Sequence, residues 1–568
     1  MDIEELEKTT IWNLYEKMRE YNHLIGVYGD TDRNYRMYNG NQWEGLIIEG
    51  INPVSFNIIK PIVKYKLSVI HQNDYTINYS AENIKDSMSN EITNKTCELL
   101  NNMARKTWEK DRFDRKIRQM TKDSAINDEG IIYVTYNPET NMPINEVIYK
   151  NDVGYGNENS SEIQTQPYII IRQRKTVIET QKIAKENGVK DVDVINIVGD
   201  NDTSETTGEA GKYEINDSCW LLTKLWRGAN GTIHYAQATK YVDIKKDTDT
   251  ELTMYPLVHM TWEEKVGYSR GEGEVRQLIP NQLEINKIIM RRALVTKKTA
   301  YPQTVINASK VTNPKAINRI GSTIEVNGQT VDDVRKVIST TSPAQMSTDV
   351  DKLQNDLISL TRELAGAGDI ATGEVNPAEA SGRAILAVQN ASKMPMTEQL
   401  ETLKDTLDQL AKIWLDMWKT YAVDGLTIEY DKKDALTEET TKQLVKVPYE
   451  ILEKLKAEVK VDVTPKSPYD KLSQEISIEN MLKAGYFTPD RLGELEVYVN
   501  LLDDDSTMPK QKLIEAINHI KEVQKQINAI NMEAQEIETQ ANKYINDQQD
   551  IGLIGSTGDD LYTEAQAL

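Results

Sequence analysis

Cysteine is nearly absent from the 568 residues: Cys97 and Cys219 are the only two. That is too few for a disulfide framework or a Cys-rich zinc site, and it reads as two core or surface thiols compatible with a reducing cytoplasm. Histidine is almost as sparse. His23, His71, His234, His259 and His519 stand in no HExxH or HxxH pairing, which argues against a histidine metal centre. No apolar run approaches the eighteen or so residues of a membrane span, and the N-terminal MDIEELEK lacks the basic and apolar regions of a signal peptide. These absences predict a soluble protein made inside a cell. Phenylalanine is displaced by tyrosine, 3 against 27, which favours half-buried rings whose hydroxyl finds a polar partner. Basic charge is also lacking: the formal net charge is -22, so no global footprint for gripping DNA exists. Either the chain never meets nucleic acid, or it meets DNA without holding it.

Catalytic signatures are missing too. There is no G-x-S-x-G elbow and no P-loop; GEAGKY at 208–213 and GEGEVR at 271–276 fail the spacing of phosphate-cradling loops. Asp332-Asp333 and Asp503–Asp505 have the ligand chemistry for Mg²⁺, but among 89 acidic residues such runs are ordinary solvated charge. We expect no enzyme activity, no cofactor and no metal.

What is present is a long α+β chain, predominantly helical and large enough for several domains. Residues 1–29 read as a helix, 35–46 as a turn-bearing aromatic segment, and helices are expected from near Asn57 and over 83–129. Strand patterns occupy 131–136, 168–172, 219–226 and 255–262, with polar stretches at 151–162 and 199–211 expected as exposed loops. Helix returns over 281–299, long enough for about 28 Å. A β-containing segment follows, with Asn327-Gly328 as a hairpin turn. Val350, Leu353, Leu357, Leu360 and Leu364 then alternate spacings of three and four. After the Gly-rich 366–380, Met396, Leu400, Leu403, Leu407, Leu410, Trp414, Met417 and Tyr421 form a second such stripe, and Pro395 should end or kink a helix there. Short elements fill 423–465, with IEY and VKVDVTP as strands. A last helical block spans 470–546, carrying a further stripe from Leu513 to Ile545, and the final residues read as a mobile tail.

One electrostatic anomaly stands out. The 281–299 helix carries Lys287, Arg291, Arg292, Lys297 and Lys298 against Glu284 alone. Lys287, Arg291 and Lys298 fall within about 40° of one another on the helix wheel. A helix facing an acidic neighbour explains this, and so does a sparse basic stripe facing DNA phosphates.

YRMYNGNQW at 35–43 is followed by NPVSFNIIKPIVKYKLSVI at 52–70. GYSRGEGEVRQLIPNQLEINK at 267–287 places a Gln and an Asn on one side of a helix, and EASGRAI at 379–385 opens another after a Gly-rich loop. In this order, over roughly 35–422, the chain resembles the portal proteins (head-to-tail connectors) of tailed bacteriophages.

The resemblance implies a portal-type subunit with wing, stem, clip and crown, assembling as a dodecameric ring around an axial channel at one capsid vertex for DNA packaging and ejection. Residues 1–280 would be the wing, 281–299 the first stem helix, 300–345 the clip, and 346–365 the second stem helix. The tunnel loop would be 366–380, the long kinked helix 381–422, the wing return 423–469, the crown 470–546 and the tail 547–568. DNA in the channel would meet Gly366, Gly368, Asp369, Thr372, Gly373, Glu374 and Asn376 of the loop and the stripe Lys287, Arg291 and Lys298. Leu353, Leu357, Leu403, Leu407 and Trp414 would pack between subunits. The implied partners are further copies of the chain, double-stranded DNA in transit, the terminase large subunit, neck or head-completion adaptors, the major capsid protein and a scaffold, with no membrane. The implied location is the virion, after synthesis in the host cytoplasm. The alternative is an oligomeric intracellular helical scaffold or adaptor without DNA contact; a metal-dependent nuclease using the acidic runs is a more distant one.

Overall fold

The computed structural model describes residues 8–43, 52–81, 87–200, 217–300, 303–319, 321–327, 337–341, 349–368, 394–433, 440–453, 455 and 457–465, together with 534, 535, 537, 539 and 543. The chain divides into two units, Met1–Thr464 and Pro465–Leu568. In the second, the five described residues from 534 onward are helical, and Thr539 Oγ1 donates to the Gln535 carbonyl at 2.5 Å. The rest of the expected 470–546 helices, the tail and Asp503–Asp505 lie outside the described residues.

The first unit opens with α1 (Thr10–Leu24), started by the Thr9 side chain, which accepts the Trp12 N–H at 3.2 Å. Gly26, at φ 81°, turns the chain into α2 (Val27–Asn39), and Gly40, at φ 90°, ends it. The aromatic segment read as turn-bearing over 35–46 is therefore helical through Asn39, Gly40 turns, and 44–46 lie outside the described residues. Next come α3 (Ile59–His71), β1 (Asn73–Ala81), α4 (Ser87–Lys110) and α5 (Phe113–Ile126). The helical pattern read over 83–129 is two helices, broken at Arg112, whose backbone is left-handed.

Strands β2 (Glu129–Asn137), β3 (Met142–Ile148) and β9 (Leu257–Thr261) form an antiparallel sheet ordered β3-β2-β9, with β3 at one edge. Helix α5 lies so close to β2 that a Cβ on Gly130 would sit 2.1 Å from the Met120 carbonyl oxygen, so only glycine fits. A second antiparallel sheet runs β4 (Val153–Tyr155), β5 (Tyr168–Thr176), β6 (Ser218–Arg227), β7 (Ile233–Ala238) and β8 (Asp243–Asp249) in order. The stretch 151–162, expected as an exposed loop, contributes the buried strand β4.

Both faces of the second sheet are covered. Trp220 and Leu222 of β6 pack on Ile11, Trp12 and Tyr15 of α1. Cys219 and Leu221, pointing the other way, pack on Ala184 of α6 (Val177–Glu186) and Val194 of α7 (Asp191–Val194).

From there α8 (Glu274–Ala300) leads to β10 (Gln303–Ile306), which pairs antiparallel with β11 (Ile338–Thr341). A bridge joins Val311 to Val326; Gly328, the second residue of the expected hairpin turn, lies outside the described residues. Then follow α9 (Asp349–Leu364), α10 (Thr397–Tyr421), β12 (Leu426–Lys433) paired antiparallel with β13 (Thr440–Val447), α11 (Tyr449–Glu453), and β14 (Ala457–Pro465) paired with β1.

The main core joins α3, α5, the three-stranded sheet, the root of α8 and α10. Two buried tyrosines satisfy their hydroxyls as expected: Tyr79 OH donates to the Ala411 carbonyl at 2.9 Å and Tyr255 OH to the Gln166 carbonyl at 2.8 Å.

Candidate functional site

The helical pair α8–α9 and the loop that leaves it carry most of the residues singled out in the sequence. Glycines set the approach to α8. A Cβ on Gly271 would lie 2.3 Å from the Glu263 carbonyl oxygen, and one on Gly273 would lie 2.2 Å from that of Asn127. Between β2 and this loop, buried Arg270 ion-pairs with buried Glu129 and donates to the Val153 carbonyl at 2.9 Å. Burial works to raise the Glu129 pKa, but the Arg270 guanidinium outweighs it and holds the carboxyl down at about 2. The first residue of α8, Glu274, is buried against Lys66 of α3 (2.6 Å) and accepts from Trp262 Nε1 (3.2 Å).

The next turns of α8 grip α3. Gln282 and Asn286 are four residues apart, so both face one way, and both are fully buried. Gln282 Oε1 accepts the Ile58 N–H at 2.8 Å and its Nε2 donates to the Phe56 carbonyl at 2.7 Å. Asn286 Oδ1 accepts the Phe56 N–H at 3.0 Å, while its Nδ2 donates to Gln42. The two amides thereby satisfy backbone groups of an irregular segment that no strand or helix partners. They are the Gln and Asn of the NQLEINK motif.

Beyond Met290 the character of α8 changes, and no residue from Arg291 to Ala300 is buried. Helix α9 runs antiparallel beside it: Asn281 Nδ2 donates to Thr361 Oγ1 at 3.1 Å, and Arg292 meets Asp351 at 3.0 Å and Gln354 at 2.6 Å. Arg292 is therefore an inter-helix link. Lys287 pairs with Glu284 of its own helix at 2.9 Å, and Lys287 followed by Arg291 lowers the Glu284 pKa. Arg291 and Lys298 are exposed and make no ion pair among the described residues. These charges are at the surface, where each pair is worth little to stability.

The leucines divide. On α9, Leu353 is 52% exposed, Leu360 54% and Leu364 85%, while Leu357 is half-buried. On α10, Leu403, Leu407 and Trp414 are fully buried in the subunit's own core. Those three leave no surface for a neighbouring chain, and the inter-subunit role expected of them is corrected: the α10 stripe is an internal seam, covered by the sheet of β2, β3 and β9. Leu353 and Leu357 remain available.

The Gly-rich segment begins as a helix cap. Gly366, at φ 68°, donates its N–H to the Glu363 carbonyl at 2.9 Å, and Ala367 donates to Arg362 at 2.8 Å. Its glycine is thus required by a left-handed turn rather than by freedom of movement. Gly368 ends the described stretch; Asp369, Thr372, Gly373, Glu374 and Asn376 lie outside the described residues. Pro395 sits in a 3-10 turn, Met394–Met396, from which α10 starts; the residues just before it lie outside the described residues. Among the described residues no group of His, Cys, Asp or Glu is arranged to hold a metal ion, and no helix is long and apolar enough to cross a membrane.

Sequence reasoning did not single out Arg270 or Glu129. The available signal was that each charged residue stands directly before a glycine, Arg270 before Gly271 and Glu129 before Gly130.

Compared with known families, residues 151–566 match the family model described as phage P22-like portal protein, well over half of the chain. No curated protein matches it.

Proposed function

The chain belongs to the phage P22-like portal protein family, and from that premise we propose that it is one subunit of a dodecameric ring at a capsid vertex. Double-stranded DNA passes through the ring's axial channel during packaging and again during ejection. The observation that carries this reading is the α8–α9 pair. Its root is buried and clamped, its far half is free of the core, and α9 turns Leu353, Leu360 and Leu364 outward. A helix face of that kind needs a partner, and a heterologous contact whose rotation closes supplies one.

In this reading 281–299 and 346–365 are the stem, 300–345 the clip that docks the terminase large subunit and later the neck adaptors, and 366–380 the tunnel loop. The long helix is 381–422, the wing is 1–280 with 423–469, and the crown is 470–546, facing the capsid interior. The major capsid protein and a scaffold meet the wing, and the protein itself has no catalytic role. Arg291 and Lys298, with Lys287 tempered by Glu284, form a thin basic stripe in an acidic wall. Net charge of -22 keeps DNA centred by repulsion, since tight phosphate binding would arrest it.

Electron micrographs of the purified protein test the reading. Rings with an axial hole are expected; filaments, dimers or monomers alone would overturn it. Shortening 369–376 should leave rings intact and impair packaging or retention of DNA, and unchanged packaging would remove the tunnel loop from the scheme.

A further inference from the structure

A cavity of about 440 Å³ opens where the α4–α5 turn meets the free edge of β3. Its lining is richer in cations than an acidic chain leads one to expect: Arg112, Arg115 and Lys116, with Asp111 and Glu146. Lys116 is already paired with Asp111. Arg112 and Arg115 are exposed and have no ion pair among the described residues.

Arg112 also sits in an unusual conformation, with φ 49° and ψ 47° at the entrance of α5. A left-handed backbone is disfavoured for a non-glycine residue. Glycine would relieve it, and the guanidinium kept there makes no ion pair among the described residues.

The strand edge supplies the second half of the site. Asp111 Oδ2 accepts the Asn145 N–H at 3.1 Å and Asn145 Nδ2 at 2.7 Å, so the Asn145 amide points away from β2. By strand alternation the N–H and C=O of Val147 point the same way, along the open edge and into the cavity lining. One acceptor from the chain itself therefore already occupies the first edge position, and the next, at Val147, has no hydrogen-bond partner among the described residues.

Side chains alternate accordingly. Asn145 and Val147 share the face on which α5 packs, because Ile132, paired with Val147, lies on the same face of β2 as Gly130. Ile144 and Glu146 point to the other face and are exposed.

We propose that this cavity binds an extended acidic peptide segment of a partner protein, added antiparallel or parallel to β3. Its carboxylates, on alternate residues, turn toward Arg112 and Arg115, and its apolar residues lie beside Ile144. Duplex DNA is the poorer occupant, because it has no use for a strand edge and is repelled by Glu146. The site is separate from the α8–α9 pair and does not depend on the portal reading.

The probe is a short fluorescein-labelled peptide alternating glutamate and valine, titrated by anisotropy into the full-length protein. Two further probes are the same peptide N-methylated on alternate amides and a mixed-sequence DNA duplex. Saturable peptide binding is expected, weakened by salt and weakened about tenfold or more in Arg112→Gly/Arg115→Gln. Glycine suits the left-handed position, so that variant keeps its fold, which thermal melting checks. N-methylation should also weaken binding, because it removes edge hydrogen bonds. Absence of saturable binding, equal affinity of the double variant, equal affinity of the N-methylated peptide, or binding of the duplex in place of the peptide would each overturn the proposal.

Discussion

Helices α9 and α10 carry leucines at the same spacings of three and four, yet they meet opposite surroundings. Leu403, Leu407 and Leu410 are fully buried, whereas Leu360 is 54% exposed and Leu364 85%. Helix α10 lies on β9 and the neighbouring strands, where Thr406 Oγ1 donates to the His259 carbonyl at 3.2 Å and Trp414 Nε1 to Asn145 at 3.0 Å. Helix α9 is tied to α8 by polar groups, Asn281 with Thr361 and Arg292 with Asp351. Periodicity establishes that one face of a helix is apolar. It does not say which surface covers that face, because the cover comes from chain far away in sequence.

The contrast can be broken most directly at Leu407. Leu407→Asp should destabilise the subunit by about 4 kcal/mol or more, since a carboxylate there has no partner and no water. A denaturant midpoint close to wild type would mean the α10 seam is not the core it is taken to be. Helix α8 repeats the contrast along its own length. Glu274→Ala strands the Lys66 ammonium in the interior and should cost about 3–5 kcal/mol, while Lys298→Ala at the exposed end should change the melting temperature little.

A titration carries the same distinction to charge. Burial lifts the Asp123 carboxyl to about 6, against the opposing hydrogen bond from Tyr35 and the charge of Lys122. Because the folded state then holds the proton more tightly than the unfolded one, this contribution is complete below about 3.8 and is lost as pH rises through 6. Relative to Asp123→Asn, the wild type should lose about 1 kcal/mol of stability between pH 5 and pH 7. Parallel stability curves for the two proteins over that range would contradict the burial argument. A similarly small effect belongs to Leu360→Ser, expected to shift subunit stability by no more than about 0.5 kcal/mol. If α9 faces a neighbouring copy, the same change reduces ring yield in micrographs, which separates subunit folding from assembly.

Much of the fold was legible because β-branched runs such as IIYVTY and YIIIR have few alternatives to a buried strand. What escaped depended on single backbone positions or on distant partners. The break at Arg112 had no glycine or proline to announce it. Strand β4 is three residues long inside a polar stretch, and it is a strand because β5 pairs with it. At the candidate site the cations were visible by count, but their commitments were not. Arg291 and Arg292 are adjacent in sequence and point about 100° apart, so only the position of α9 determines that Arg292 is bonded across and Arg291 is not.

The manner in which α8 is anchored has a mechanical consequence. At 1.5 Å per residue its 27 residues span about 40 Å, held at one end by Glu274, Gln282 and Asn286 and unsupported by the core at the other. That is a cantilever: a load applied near Lys298 reaches the body of the subunit as a bending moment at the root. There Gln282 and Asn286 hold backbone atoms rather than flexible side chains. Displacement of the outer end is therefore delivered to α3 with little slack, and the two amides act as the bolts of the joint.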